Sequence, residues 1–164
     1  MKAKGIWDFD VYDINNDLLQ SFKVKNQITL GGSGVFCKAL TEDEQIMTPV
    51  WRYAGSSKYP DLVRKSWSMV FGTSDAQLSS SNIVLGSQVV EKRSSDVDSS
   101  LARAGVEWVY KTRVETYDGN EHTLREAGIY DYSRQILISR VLIDPVIVKT
   151  AAVWANVTAT IQYV

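Results

Sequence analysis

From Val153 onward every second residue is apolar or aromatic. Val153, Ala155, Val157, Ala159, Ile161 and Tyr163 fall on one side, and Trp154, Asn156, Thr158, Thr160 and Gln162 on the other. Side chains alternate between the two faces of a strand, whereas a helix groups residues three and four apart. So long a run of period two commits the segment to a strand with one face in a core and the other in water. A second run repeats it. Val106, Trp108, Tyr110, Thr112, Val114 and Thr116 form one face, opposed by Glu107, Lys111, Arg113 and Glu115. One-sided burial of this kind belongs to antiparallel sheets.

The stretch WDFDVYDINND, Trp7 to Asp17, poses a choice between a calcium loop and a strand entering a turn. An EF-hand needs oxygen ligands at loop positions 1, 3, 5 and 12 and glycine at position 6. Counted from Asp8, position 3 is Asp10, but position 5 is Tyr12, position 6 is Asp13 and position 12 is Leu19. The strand template fits better. Trp7, Phe9 and Val11 share one face, and Asp8, Asp10 and Tyr12 the other. Ile14-Asn15-Asn16-Asp17 supplies turn chemistry, and Leu18, Gln20, Phe22 and Val24 resume the alternation. The expectation is a hairpin over about 5–25 with its aspartates in solvent.

Further along, Ser33 in the glycine-rich stretch at 31–34 can cap a helix over about 34–45. Residues 48–65 are irregular and aromatic-rich. Trp67 to Phe71 reads as a strand ending at Gly72, and Val89-Val90 opens a weak strand that fades into an exposed loop, KRSSDVDSS. Asp118-Gly119 is a strong turn signal. AGIYDYSRQILISRVLI reads as a hairpin around YSRQ, stopped by Asp144-Pro145. The expected fold is a single mainly β domain over residues 1–164, an antiparallel β-sandwich with one short helix.

Chemistry is hard to place on this chain. The 18 Lys+Arg and 19 Asp+Glu residues are interspersed and give a net charge of −1, without the basic patch of a nucleic-acid binder. The longest apolar runs, such as Ile136-Leu137-Ile138, are too short for a membrane helix. No apolar segment follows the N-terminal lysines as a secretory signal requires. The single cysteine, Cys37, has no internal disulfide partner, which favours synthesis in the cytosol. His122 lies in a turn, and no serine occupies a G-x-S-x-G elbow. Glycines 31–34 are not followed by G-K-[ST], so they are no phosphate loop. Glu126 lacks a second carboxylate at acid–base spacing, and is expected to hold backbone amides where one strand turns into the next. No catalytic residue, metal ligand or cofactor is expected. Trp51, Arg52, Tyr53, Tyr59 and Arg64 lie in the irregular segment. Aromatics and arginine are enriched at protein interfaces, so these five are the expected interface residues. Aromatics also stack on sugars, which keeps a carbohydrate- or receptor-binding module as the competing function. An enzyme is the least favoured.

Four segments, in order, resemble a class of small bacteriophage virion proteins from tails and tail-associated appendages. They are an N-x-I-T-x-x-G stretch within Asn26–Phe36, MVFGTSDAQLSSSNIVLG from Met69 to Gly86, EAGIYDYSRQILISRVLIDP from Glu126 to Pro145, and the closing strand Val153–Val164. The resemblance implies a non-enzymatic structural role in the virion after synthesis in the host cytoplasm. It also implies copies of the chain itself and other virion proteins as partners, with no membrane insertion and a host-surface glycan as the lesser partner. The long hairpin over 5–25 and the insertion from Thr48 to Lys65 depart from the pattern, and are expected to contact neighbouring subunits.

Overall fold

The alternation at the C-terminus becomes β9 (Val153–Tyr163), which lies between the first strand, β1 (Ala3–Asp13), and β6 (Glu107–Val114). The computed structural model describes residues 3–28, 67–82, 84–93, 96–102, 107–132 and 135–163. Its other strands are β2 (Leu18–Ile28), β3 (Trp67–Gly72), β4 (Gln88–Lys92), β5 (Val97–Ala102), β7 (Thr123–Asp131) and β8 (Ile136–Val148). Every pairing among them is antiparallel. The order across the sheet is β4-β3-β7-β8-β2-β1-β9-β6-β5. The expected helix over 34–45, Cys37 and the irregular segment 48–65 lie outside the described residues.

One strand bends the sheet round on itself. β2 pairs with β1 from Leu18 to Asn26, and its last two residues, Gln27 and Ile28, pair with Arg140 and Ser139 of β8. The inward faces of both halves then meet in one core. Trp7, Phe9 and Val11 of β1 and Ala155, Val157, Ala159 and Ile161 of β9 share it with Met69, Phe71, Leu124, Ile129, Val141 and Ile147. Phe9 stacks on Phe22, ring centroids 5.1 Å apart, and Trp67 of β3 reaches Tyr110 of β6 at 5.6 Å. This second contact joins strands far apart in the sheet order and nearly closes it. Each large apolar side chain taken fully out of water contributes about 1.5–3 kcal/mol, so the alternation dictates which way each strand faces.

The N-terminal hairpin is as expected, with one correction. Asp8 pairs with Lys23 at 2.7 Å, and Asp10 accepts a hydrogen bond from the Ser21 hydroxyl at 2.6 Å. Asp13 Oδ1 accepts the amides of Asn15 and Asp17, and Asn16 adopts the left-handed conformation at φ 68°. Leu18, however, leaves the row of Gln20, Phe22 and Val24. A bulge sets Val11 opposite Gln20 but Tyr12 opposite Leu18, so Leu18 shares the outward side of Tyr12.

Two other expectations are overturned. The stretch expected as an exposed loop, 92–100, runs into the first four residues of β5, which pairs with β6 from Val97↔Thr112 to Ala102↔Glu107. Its serines and aspartate carry no alternation; pairing with a long, well-anchored neighbour supplies the strand instead. Asp144-Pro145 does not stop β8. The strand continues to Val148 through a bulge in which the β7 partner changes from Glu126↔Leu142 to Leu124↔Ile147. Both residues are exposed there, and a bulge tolerates a residue without an amide donor.

Beyond the strand ends, Lys149 is almost fully buried, at 1% exposure. Its ammonium donates to the carbonyl of Glu115 at 2.8 Å and to that of Val153. Its own amide and carbonyl bond residues 122 and 121. One side chain therefore ties the β6–β7 turn to the β8–β9 turn.

Because protein groups already engage Asp8, Asp10 and Asp13, the melting midpoint should be the same in excess calcium and in chelator. A rise of several degrees with calcium would mean that bound metal stabilises the fold. Lys149→Met should cost about 1–3 kcal/mol near neutral pH, since the carbonyls of Glu115 and Val153 both lose the ammonium donor, Glu115 keeping only the amide of Asp118. Burial lowers the Lys149 pKa below its usual 10.5. The unfolded chain then binds more protons between the two values, and wild-type stability gains as pH rises through that window. The gap between wild type and variant, measured by denaturant titration, should widen towards pH 10.5; a narrowing gap would contradict the assignment.

Candidate functional site

β8 reads Ile136-Leu137-Ile138-Ser139-Arg140-Val141-Leu142-Ile143, an apolar run broken by an arginine. Arg140 is 2% exposed and Glu126 of β7 is 0% exposed. Charged residues are so deeply buried only when paired. Arg140 Nε donates to Glu126 Oε2 at 2.8 Å, and Nη2 lies 2.8 Å from the same oxygen. The register explains the meeting. Ala127↔Val141 point into the core, so Glu126, Gly128 and Arg140 point to the opposite side of the sheet.

There they meet the irregular segment 73–87. Glu126 Oε1 accepts the amide of Ser87 at 2.8 Å, and Oε2 accepts that of Gly86 at 3.1 Å. Arg140 Nη1 donates to the carbonyl of Gln77 at 3.3 Å and to Asn82 Oδ1 at 3.1 Å. Asn82 Oδ1 also accepts the amide of Ser79 at 2.9 Å. Thr73 donates its amide to the Ser87 carbonyl at 2.9 Å, which closes the base of the loop. A Cβ at Gly72 would come within 2.5 Å of Glu126 Oε1, so only glycine lets β3 pass this close to the carboxylate. Beside the polar node, Leu85 packs with Val70 and Leu137 in a small apolar cluster on the same outer face.

The node is built to hold rather than to react. Each oxygen of Glu126 is engaged, and the carboxylate has no exposed surface. Glu126 does secure backbone amides, as expected. Those amides belong to a loop about forty residues earlier, not to the adjoining strand turn. Sequence reasoning missed Arg140, although a lone cation inside an apolar strand signals a buried partner.

Other expected features are scattered. His122 is exposed in its turn. Lys92 pairs with Asp118 at 2.7 Å, and the same carboxylate oxygen accepts the amide of Glu115 at 2.8 Å. Trp154 is only 8% exposed: Tyr12 stacks on it at 4.3 Å, and the Arg113 guanidinium lies 3.8 Å from its ring centroid. Among the described residues no group of three His, Cys, Asp or Glu side chains is placed to hold a metal, and no helix is long and apolar enough to cross a membrane. Trp51, Arg52, Tyr53, Tyr59 and Arg64 lie outside the described residues. No family model, curated protein or solved structure matches the chain.

Breaking a buried ion pair by removing one partner typically costs about 3–5 kcal/mol. Arg140→Met should therefore lower the melting midpoint by roughly 10 °C for a chain of this size. Glu126→Ala should destabilise at least as much and also speed hydrogen exchange at the amides of Gly86 and Ser87. If Glu126→Ala left stability intact and abolished a hydrolytic activity, Glu126 would be a catalytic acid instead of a fastener.

Proposed function

We propose that the chain is a structural subunit of a bacteriophage virion, at the tail, neck or fibre attachment, and that it acts through homo- and hetero-oligomeric interfaces. In this reading it is a β-sandwich, the halves β5-β6-β9-β1-β2 and β2-β8-β7-β3-β4 facing one another across the core. The observation that carries the proposal is where the resembling segments meet. Gly72, Gln77, Asn82 and Gly86 of the Met69–Gly86 segment meet Glu126 of EAGIY and Arg140 of SRV at one node, so that two of the four segments converge there. What those segments specify is a rigid clasp between a sheet and its covering loop. A subunit repeated in a particle has to present the same surface in every copy, and interfaces between rigid partners bind without a large ordering cost.

The alternative is a carbohydrate- or receptor-binding module. The outward face of β1, β9 and β6 favours it, with Asp8, Asp10, Asn156, Thr158 and Arg113 beside the Tyr12–Trp154 stack. Hydrogen-bonding side chains next to an aromatic suit a sugar, although Trp154 itself is covered.

Mass spectrometry and immunogold microscopy of particles purified from cells that encode the chain test the proposal. The chain should co-purify at fixed stoichiometry, with label at one end of the particle. Its absence from intact particles would refute the structural role. Glycan-array binding abolished by Arg113→Ala would favour the alternative.

A further inference from the structure

No residue of β2 is paired on both sides among the described residues. Residues 18–26 bond to β1, while β8 reaches only Gln27 and Ile28. Among the described residues no other strand pairs with 18–26. Leu18, Leu19, Gln20, Ser21, Lys23 and Lys25 are all exposed. A long free edge with exposed apolar side chains is a template for another strand, and stable proteins cover or blunt it. The sheet's terminal edges are short, five residues in β4 and six in β5, whereas β2 has eleven. Leu18 and Leu19 are 55% and 53% exposed, and Ile14 at the hairpin tip is 64% exposed.

We infer that the edge of β2 is covered by β2 of a second copy, paired antiparallel across a two-fold axis at Phe22. The argument for a second copy is self-complementarity in charge and side-chain type. With the axis at Phe22, Lys23 of each copy faces Ser21 of the other, Lys25 faces Leu19, and Gln20 faces Val24. On the outward side this builds the row Asp8, Lys23, second-copy Ser21, second-copy Asp10, and its symmetric mate. Two of its contacts already exist within one chain: Asp8 with Lys23, and the Ser21 hydroxyl with Asp10. Each lysine thus sits between a carboxylate of its own chain and one of the other. On the inward side the two Phe22 rings meet at the axis, each already stacked on Phe9. No like charges oppose directly in this register. Moving the axis one residue to Lys23 sets lysine against lysine, which is destabilising. The contact is isologous and closes on itself, so it yields a dimer and no fibre. The halves β5-β6-β9-β1-β2 of the two copies become one continuous sheet.

The inference rests on β2 alone and goes beyond membership of a particle. A chain found in virions but monomeric in solution would defeat it and leave the virion proposal standing; a β2 dimer absent from virions would do the reverse. Sedimentation equilibrium on the full chain, from about 1 µM to about 500 µM, should show a monomer–dimer equilibrium at micromolar concentration, as suits a small interface. Lys23→Glu should weaken the dimer at least about tenfold, the loss expected of a mismatched charge row. Lys111→Glu on β6 should leave it unchanged. Phe22→Cys in a Cys37→Ser background should oxidise to a disulfide-linked dimer. Should Phe22→Cys fail to fold, the Lys23→Glu and Lys111→Glu comparison still decides. A monomer at every concentration would overturn the inference, as would a dimer indifferent to Lys23→Glu. Protection of the amides of residues 19–25 from hydrogen exchange in a monomer would also overturn it, because another part of the same chain would then occupy the edge.

Discussion

Arg140 leaves the fold little freedom. A guanidinium in the middle of an apolar strand loses its water on folding, a cost of several kcal/mol even after relaxation. The carboxylate of Glu126 offsets most of it only when the remaining donors and acceptors are also satisfied. The segment from 73 to 87 meets much of this need, through the carbonyl of Gln77, the side chain of Asn82 and the amides of Gly86 and Ser87. An irregular segment without alternation or helix is therefore as firmly specified as the strands beneath it. Apolar packing alone would let such a loop slide, whereas directional hydrogen bonds to two buried charges allow one position. Glycine at 72 follows from the same requirement, since a side chain there would strike the carboxylate.

Polar fastening recurs at other places where the chain has no ladder to rely on. Lys149 ties two turns through their carbonyls, and Asp118 holds Lys92 together with the amide of Glu115. On the open side of the hairpin the opposite holds. There, among the described residues, β2 is paired only with β1 over residues 18–26, and that stretch carries exposed leucines and lysines. The described part of the chain thus separates into a sheet half whose outer surface is clasped and one whose edge is presented.

Strands whose alternation matches one-sided burial were legible in the sequence. β1, β6 and β9 appear with the expected faces wherever their side chains are described, because burying each row of apolar residues has one geometric solution. The hairpin tip was legible to within one residue; the bulge that turns Leu18 outward leaves no mark in a period-two pattern. β5 was not legible, since Asp98, Ser99 and Ser100 owe their strand to β6. Nor was the passage of β8 through Pro145, which depends on a bulge opposite Arg125. At the node, Glu126 and its amide-holding role were readable, but the partner fourteen residues later was not. Pairing across a register is a property of two strands together, and neither strand states it alone.

The placement of β9 has a consequence for how the protein is made. Among the described strands β1 leaves the ribosome before all the others and β9 after them, yet they are neighbours over their full length, Ala3↔Tyr163 to Asp13↔Val153. At about 5–20 residues per second, β1 waits roughly 7–30 s for the strand that covers its inner edge. During that interval the nascent chain exposes Trp7, Phe9 and Val11 without the alanines and valines of β9 that later enclose them. The described sheet cannot close from β1 alone; it is locked by β9, inserted between β1 and β6, which are already made. A chain stopped short of residue 153 would lack one strand in number, but it would lose the link between β1 and β6 and with it the continuity of the whole sheet.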